Sequence, residues 1–496
     1  MTAFSPFSGG GRGGWTGYAI SRRTLLRGSL SVAAAGTLAA VSSAQTASAR
    51  QNDDPNAGRT DAEIYGVPTV NPLITQRADP FITHPFQGKY YFTGSVPEYD
   101  RIALRGAATI AGLAGATESV IWRRPSSGKM GGHIWAPELH RINDRWYVYF
   151  AAGDSDDVFR IRMYVLESAL SDPLDPAGWT LKGQIATEWD SFSLDATTFA
   201  HRGRRYLVWA QGEPEIAVNS SLYIAEMASP WQLKSKPTRI ATPTKSWEVQ
   251  GYKVNEGPAV LVRNGRVFLT FSASATDARY CMGLLTADAR ANLLDRDAWT
   301  KTPDPIFGTD EQTKQYGPGH NSFTVAEDGK TDVLVYHARD YRDITGDPLY
   351  DPNRHTRVQK LCWHPDGTPL FGVPVGAGGP IVRLSPDGLP DHFVRHTSDF
   401  ALQVDPAPHD LGATQFRFVA SPLGDGTESI QSLDHPDRYV RVDGDTVRLD
   451  PAPTLFRRTS TRAGVTLETA ADPGRYLRQV DNRLTVDTTP TPFRLT

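Results

Sequence analysis

Cysteine is nearly absent: the 496 residues contain two, Cys281 and Cys362. Two thiols cannot build a disulfide scaffold or a cysteine-rich zinc site. An oxidising destination leaves room for one Cys281–Cys362 bridge, with two buried free thiols as the alternative. An excess of either charge is also missing. The 52 Lys+Arg face 55 Asp+Glu, a net −3, and this balance gives no reason to expect nucleic acid as a partner. No stretch reaches the ~18 consecutive apolar residues of a membrane span. No glycine-rich loop is placed to cradle a nucleotide. The densest glycine cluster, Gly9-Gly10-Gly11-Arg12-Gly13-Gly14, lies near the start of the chain, so no organic cofactor is implied. Tryptophan stops at Trp363 and lysine at Lys360, which marks a change of composition near residue 380.

What is present begins with an address. Ser21-Arg22-Arg23-Thr24-Leu25-Leu26-Arg27 is followed by a weakly apolar run from Gly28 to Val41 and by Ala47-Ser48-Ala49. These are the three regions of an export signal with a small-residue cleavage site, and the paired arginines resemble a twin-arginine signal. Residues 1–49 are therefore expected to be a signal peptide, 50–67 a polar linker, and the mature protein to be secreted.

Two repeat systems divide the rest. Between about 70 and 375 a short polar motif, a turn and an aromatic-rich strand recur five times. The motifs are Ala78-Asp79-Pro80, Trp135-Ala136-Pro137-Glu138, Leu194-Asp195-Ala196, Asn255-Glu256-Gly257-Pro258 and Gly319-His320-Asn321. The markers 79, 138, 195, 256 and 320 lie 59, 57, 61 and 64 residues apart. Turns such as His201-Arg202-Gly203-Arg204 and Arg263-Asn264-Gly265-Arg266 separate β-branched and aromatic runs, which reads as hairpins. Five such units predict a five-bladed β-propeller over 68–380. A second repeat follows in Pro390-Asp391-His392-Phe393-Val394-Arg395, Pro436-Asp437-Arg438-Tyr439-Val440-Arg441 and Pro473-Gly474-Arg475-Tyr476-Leu477-Arg478. Three all-β units predict a β-trefoil over 383–496. The chain is expected to be all-β.

In a propeller the innermost strands line one channel, so equivalent residues of different blades meet at its mouth. Asp79, Asp195 and Glu256 each stand 11 residues before an aromatic or apolar position of the next strand (Tyr90, Tyr206 and Val267), and are expected in one register. Three carboxylates converging in a funnel are costly without a chemical role or a counter-ion. Glycoside hydrolysis supplies such a role, since one carboxyl protonates the leaving oxygen and another acts on the opposite face of the sugar.

The four motifs around Asp79, Glu138, Asp195 and Glu256 resemble those of glycoside hydrolase family 43. That resemblance implies hydrolysis of arabinose- or xylose-containing polysaccharides with inversion. Asp79 would be the general base, Glu256 the general acid, and Asp195 the group that orients Glu256 and raises its pKa. The segment Ser95-Val96-Pro97-Glu98-Tyr99-Asp100 and the residues around Trp135 are most similar to the exo-acting α-1,5-L-arabinofuranosidases of that family. Trp135 and Arg339 are the expected sugar-binding residues. His320 resembles a histidine that members place near a central calcium or sodium ion or its water. An endo-arabinanase or a β-xylosidase on the same scaffold, and a non-catalytic propeller lectin, are the competing readings.

The C-terminal repeats resemble carbohydrate-binding module family 42, which implies a pocket for arabinofuranose side chains built in the first repeat by His396 and Asp410. The corresponding positions Val442 and Gln479 of the later repeats depart from the pattern. The expected partners are arabinan, arabino-oligosaccharides or arabinoxylan side chains, with no membrane partner and a monomeric chain.

Overall fold

A computed structural model describes residues 71–496 apart from 365, 407, 409 and 422. The expected signal peptide and linker lie outside the described residues. Among those described, no helix is long and apolar enough to cross a membrane.

The N-terminal part of the described chain forms five separate antiparallel sheets in chain order, each starting with the strand that carries a motif: Ala78–Ile82, Ile134–Ile142, Ser193–His201, Asn255–Arg263 and Tyr316–Val325. Each first strand turns back tightly in the first four blades. The turn residues are Gln87-Gly88, Asn143-Asp144, Arg202-Gly203 and Asn264-Gly265, all with positive φ. Two consecutive left-handed residues make the hairpin turn whose twist matches that of the strands, which is why Asn, Asp and Gly recur there. The second strands, such as Arg145–Ala152 and Arg204–Gln211, are buried almost throughout. Large aromatics such as Trp146, Tyr149 and Trp209 fill the space between sheets.

Neighbouring first strands are tied by side chains. Ser322 donates to the Pro80 carbonyl and Thr324 to the Thr83 carbonyl, each at 2.8 Å. The fifth sheet holds three strands, Tyr316–Val325, Asp332–Arg339 and His355–Lys360. Its outer edge is completed by the start of the described chain, where Ile74 pairs with Thr356. The buried Asn71 amide imitates a further rung, donating to the Val358 carbonyl at 2.8 Å and accepting its N–H at 3.0 Å. The ring is therefore closed by non-covalent pairing of its two ends.

The C-terminal strands, Leu384–Pro386 to Phe493–Leu495, make one twelve-stranded sheet. Its core repeats three times, with Val394, Val440 and Leu477 after each repeat's aromatic and Phe416, Phe456 and Phe493 at each repeat's end. This is the layout of a β-trefoil. It rests on the propeller through Leu433, which packs in one cluster with Phe371 and Val375, and through the buried Arg417, which donates to the Ala377 carbonyl at 2.6 Å. Cys281 and Cys362 are both buried free thiols, so the Cys281–Cys362 bridge does not form.

Candidate active site

Every motif strand contains a β-bulge at the same place. The ladder slips by one residue between Ala78 and Phe81, Trp135 and Glu138, Leu194 and Thr197, Glu256 and Ala259, and Gly319 and Ser322. The residue after the first member of each pair has positive φ: Asp79 (52°), Ala136 (44°), Asp195 (58°), Gly257 (54°) and His320 (42°). A bulge re-aims its side chain and increases the local twist, and a left-handed non-glycine residue stores strain that functional sites commonly hold. Repeated around a ring, it points Asp79, Asp195 and His320 at one another.

The pairing corrects the expected register. Asp79 and Asp195 are equivalent, but the third member of their set is Gly257, and Glu256 stands one residue earlier, level with Ala78 and Leu194. Its side chain is consequently less buried than those of the two aspartates.

His320 joins the acids. Its Nδ1 lies 3.3 Å from Asp79 Oδ1 and 3.9 Å from Asp195 Oδ2. Burial alone would lower its pKa, but Asp195 and Asp79 outweigh that and raise it. Asp79 is held further by Ser95, which donates to Oδ2 at 2.6 Å, and by the buried Arg354, which donates to Oδ1 at 3.2 Å. Burial would raise the Asp79 pKa; Arg354, His320 and the Ser95 hydroxyl overcome it and hold the carboxyl well below its usual range.

Glu256 has the opposite environment. Burial and the neighbouring Asp195 carboxylate push it up to about 7, against the lowering effect of a 2.8 Å hydrogen bond from the Tyr280 hydroxyl. Asp195 is also raised, by burial first and by Asp79, while His320 and the Gly257 N–H favour its charged form. Two nearby carboxyls titrate as a pair. His320 and the Gly257 amide face Asp195, so the retained proton belongs on Glu256. The site thus holds one carboxylate that stays charged and one carboxylic acid that stays neutral into the neutral pH range, the division of labour that acid–base catalysis on a sugar requires.

The comparisons agree with this chemistry. The family model "Glycosyl hydrolases family 43" matches residues 69–369. The chain is 57% identical over 362 residues to an extracellular exo-α-(1→5)-L-arabinofuranosidase of Streptomyces avermitilis, covering 73% of this chain and 75% of that one. It is 53% identical to alpha-L-arabinofuranosidase 43 of Humicola insolens, covering 80% of this chain and 84% of the relative. A crystal structure of the α-L-arabinofuranosidase from Lactobacillus brevis superposes with a TM-score of 0.61 at 55% identity, over 62% of this chain and 98% of that one. The chain belongs to glycosyl hydrolase family 43. It is a glycoside hydrolase.

Within this family 43 site, other expected residues fall differently. Trp135 stacks on His133, with ring centroids 5.0 Å apart at 20°, and meets Tyr99 and Phe159 edge-on. One of its faces is thereby taken by protein. Arg339 does not reach into the funnel. It is 1% exposed and its three nitrogens bond Asp351, the Thr276 carbonyl and the Pro348 carbonyl, so it holds the loop 340–354 instead of a sugar. Glu138 pairs with His140 at 2.7 Å. His320 turns Nδ1 to Asp79 and Asp195, so an ion or its water would meet this histidine through Nε2. Among the described residues, the three-ligand cluster close enough to hold an ion is His396, Asp434 and His435 in the trefoil. There His396 Nε2 pairs with both oxygens of Asp434, at 3.1 and 3.0 Å. Asp410, its expected companion, caps a nearby turn at Ala413.

The sequence assigned no catalytic part to Ser95, Tyr280, His337 or Arg354, because they lie on second strands, just before a third strand and in a loop, outside the repeated motif. One signal was available. The position opposite the bulge in one blade binds the bulge N–H of the next: Ser95 accepts from Ala136 at 2.8 Å, Ser272 from His320 at 2.7 Å, and His337 Nδ1 from Asp79 at 3.1 Å.

Proposed function

We propose that the protein is a secreted, exo-acting, inverting α-1,5-L-arabinofuranosidase that removes terminal arabinofuranose from arabinan and arabino-oligosaccharides. The observation that carries exo action is a wall on the Asp79 side of the funnel. The loop 340–354 leaves the fifth blade and reaches the first two. The Leu349 carbonyl accepts from Tyr99 Oη at 2.5 Å, and Tyr350 Oη lies 3.5 Å from His133 Nε2. Arg354, at the loop's end, joins Tyr99 Oη at 2.9 Å to Asp79. The base side is therefore backed by Tyr99, His133 and Trp135, which in this reading stop a chain from continuing beyond the terminal sugar. The similarity to the arabinofuranosidases of Streptomyces avermitilis and Humicola insolens supports the same substrate class.

In this reading Asp79, charged at working pH, takes a proton from a water as that water attacks the anomeric carbon. Glu256 gives its proton to the glycosidic oxygen as the carbon–oxygen bond breaks and its electron pair stays on oxygen. Water enters on the face opposite the leaving group, so the configuration inverts. Asp195 keeps Glu256 protonated until it is needed. Both proton transfers run through the chain's own carboxylates and need no organic cofactor. The leader directs twin-arginine export, the trefoil holds arabinose-decorated polysaccharide through its first repeat, and the enzyme acts as a monomer.

The test is a proton-NMR time course on α-1,5-linked arabinotriose. Early β-arabinofuranose with arabinobiose is the expected result. Early α-arabinofuranose would overturn inversion, and release of arabino-oligosaccharides by internal cleavage of longer arabinan, before any arabinose from the trisaccharide, would overturn exo action.

A further inference from the structure

Glu256 has two oxygens, and only one can carry the proton to the leaving group. The Tyr280 hydroxyl donates to Oε1 at 2.8 Å. Tyr280 is 2% exposed and its ring lies parallel to His337, centroids 5.8 Å apart at 6°. His337 is fixed in turn. Its Nδ1 accepts the Asp79 N–H at 3.1 Å, so its own proton sits on Nε2, a buried atom with no protein partner. Burial and then Arg354 keep the ring neutral. The strand beside Tyr280 leaves it no freedom: a Cβ on Gly319 would stand 2.5 Å from the Tyr280 ring. The phenol is thus clamped between a glycine that admits it and an imidazole bonded to the backbone of Asp79.

We infer that Tyr280 is a positioning residue that selects the catalytic oxygen of Glu256 and stabilises the carboxylate left when the proton departs. With Oε1 occupied as an acceptor, the proton of neutral Glu256 resides on Oε2. As that proton moves to the glycosidic oxygen, negative charge grows on the carboxyl. The Tyr280 bond then becomes charge-assisted and roughly twice as strong. An interaction that strengthens along the reaction lowers the barrier, whereas one equally strong at the start would not. The His337 stack ties this acid-side group to the base-side strand, so Oε2 of Glu256 and the carboxylate of Asp79 are held in one frame.

The inference rests on Glu256 acting as the acid, and leaving-group dependence tests it. Tyr280→Phe keeps the ring on His337 and removes only the hydroxyl. With arabinobiose, whose departing alkoxide needs the proton, kcat should fall roughly 10- to 100-fold, the range expected when a hydrogen bond to a charged group is lost. With 4-nitrophenyl α-L-arabinofuranoside, whose phenolate leaves unaided, the fall should be under threefold. The alkaline limb of the arabinobiose profile should move to higher pH, because Glu256 loses a bond that favours its charged form. The ratio of the two rates does not depend on how much of the variant is folded. Equal losses on both substrates, or an unmoved limb, would overturn the role given to Tyr280. Glu256→Gln serves as the separate control: if it shows no leaving-group dependence, the assignment of the acid itself fails.

Discussion

The backbone N–H of Gly257 donates to Oδ2 of Asp195 across 2.9 Å. The bond joins the bulges of the third and fourth blades and brings the Asp195 carboxylate beside the residue that precedes Gly257. Asp195→Asn keeps the side chain's size but removes its charge, which is one of the two main causes raising the Glu256 pKa. The alkaline limb of the pH–rate profile should therefore move to lower pH, and kcat at pH 7 should fall by about 10²-fold or more, the usual scale for impaired general-acid catalysis. A profile measured on arabinobiose checks both. An unmoved limb would remove Asp195 from the tuning role.

Stability should move the other way at Glu256. Its folded pKa, about 7, lies above the ordinary carboxylate value of 4.5. A raised carboxyl contributes its full stability below the unfolded pKa and loses it as pH rises through the folded one. Glu256→Gln cannot ionise and escapes that loss. The variant should melt at a higher temperature than the parent at pH 8, the difference shrinking towards pH 4.5, while hydrolysis of arabinobiose falls by about 10²–10⁴-fold. Thermal denaturation at the two pH values, with activity measured alongside, reads this trade directly.

The motif strands were legible because a bulge demands unusual residues. Positive φ at five equivalent points calls for Asp, Gly or a tightly held small or polar residue, followed by Pro in three of the five motifs, and that signature repeats at blade spacing. Register was legible only to within one residue. Blade one has one more residue between bulge and turn, Asp79 to Gln87, than blade four, Gly257 to Asn264, so equal counts from the second strand put Glu256 in the place of Gly257. The groups that set the electrostatics were not legible. Arg354 reaches Asp79 across 275 positions of chain from a loop without a repeat, and no local pattern records where a loop's end will land. Arg339 shows the converse: an arginine beside the site in sequence spent two nitrogens on that same loop and the third on the Thr276 carbonyl.

Arg354 makes its own prediction. It is buried and supplies the strongest of the influences lowering the Asp79 pKa. A depressed carboxylate stays charged, and its stabilising ion pair persists, until pH falls through the folded pKa. The parent should accordingly show no acidic limb from Asp79 at pH 4 and above. Arg354→Gln removes the positive charge and leaves burial less opposed, so Asp79 should begin to protonate within the measurable range and an acidic limb should appear. Because Arg354 also holds Tyr99, KM should rise together with that change. An acidic limb identical to the parent's would show that His320 and the Ser95 hydroxyl suffice to keep Asp79 charged.

The trefoil can be tested apart from hydrolysis. His396 turns Nδ1 to the Thr397 carbonyl at 3.0 Å and Nε2 to Asp434, which also accepts from Ser432 at 2.8 Å. Burial lowers the His396 pKa, but Asp434 more than restores it, and the same pairing holds Asp434 below its usual range. Phe400 and His435 stand edge to face beside the pair, with centroids 5.1 Å apart at 87°. The arrangement sets a charged carboxylate beside the Phe400 ring, over which the Arg438 guanidinium lies at 3.8 Å. His396→Ala leaves Asp434 partly buried without its cation, so the trefoil should lose retention on insoluble arabinan by tenfold or more, while kcat/KM on arabinobiose stays within twofold. Sedimentation with the polymer measures the first and product release the second. Retention equal to the parent's would mean that the trefoil holds polysaccharide elsewhere or serves only to brace the propeller through Arg417 and Leu433.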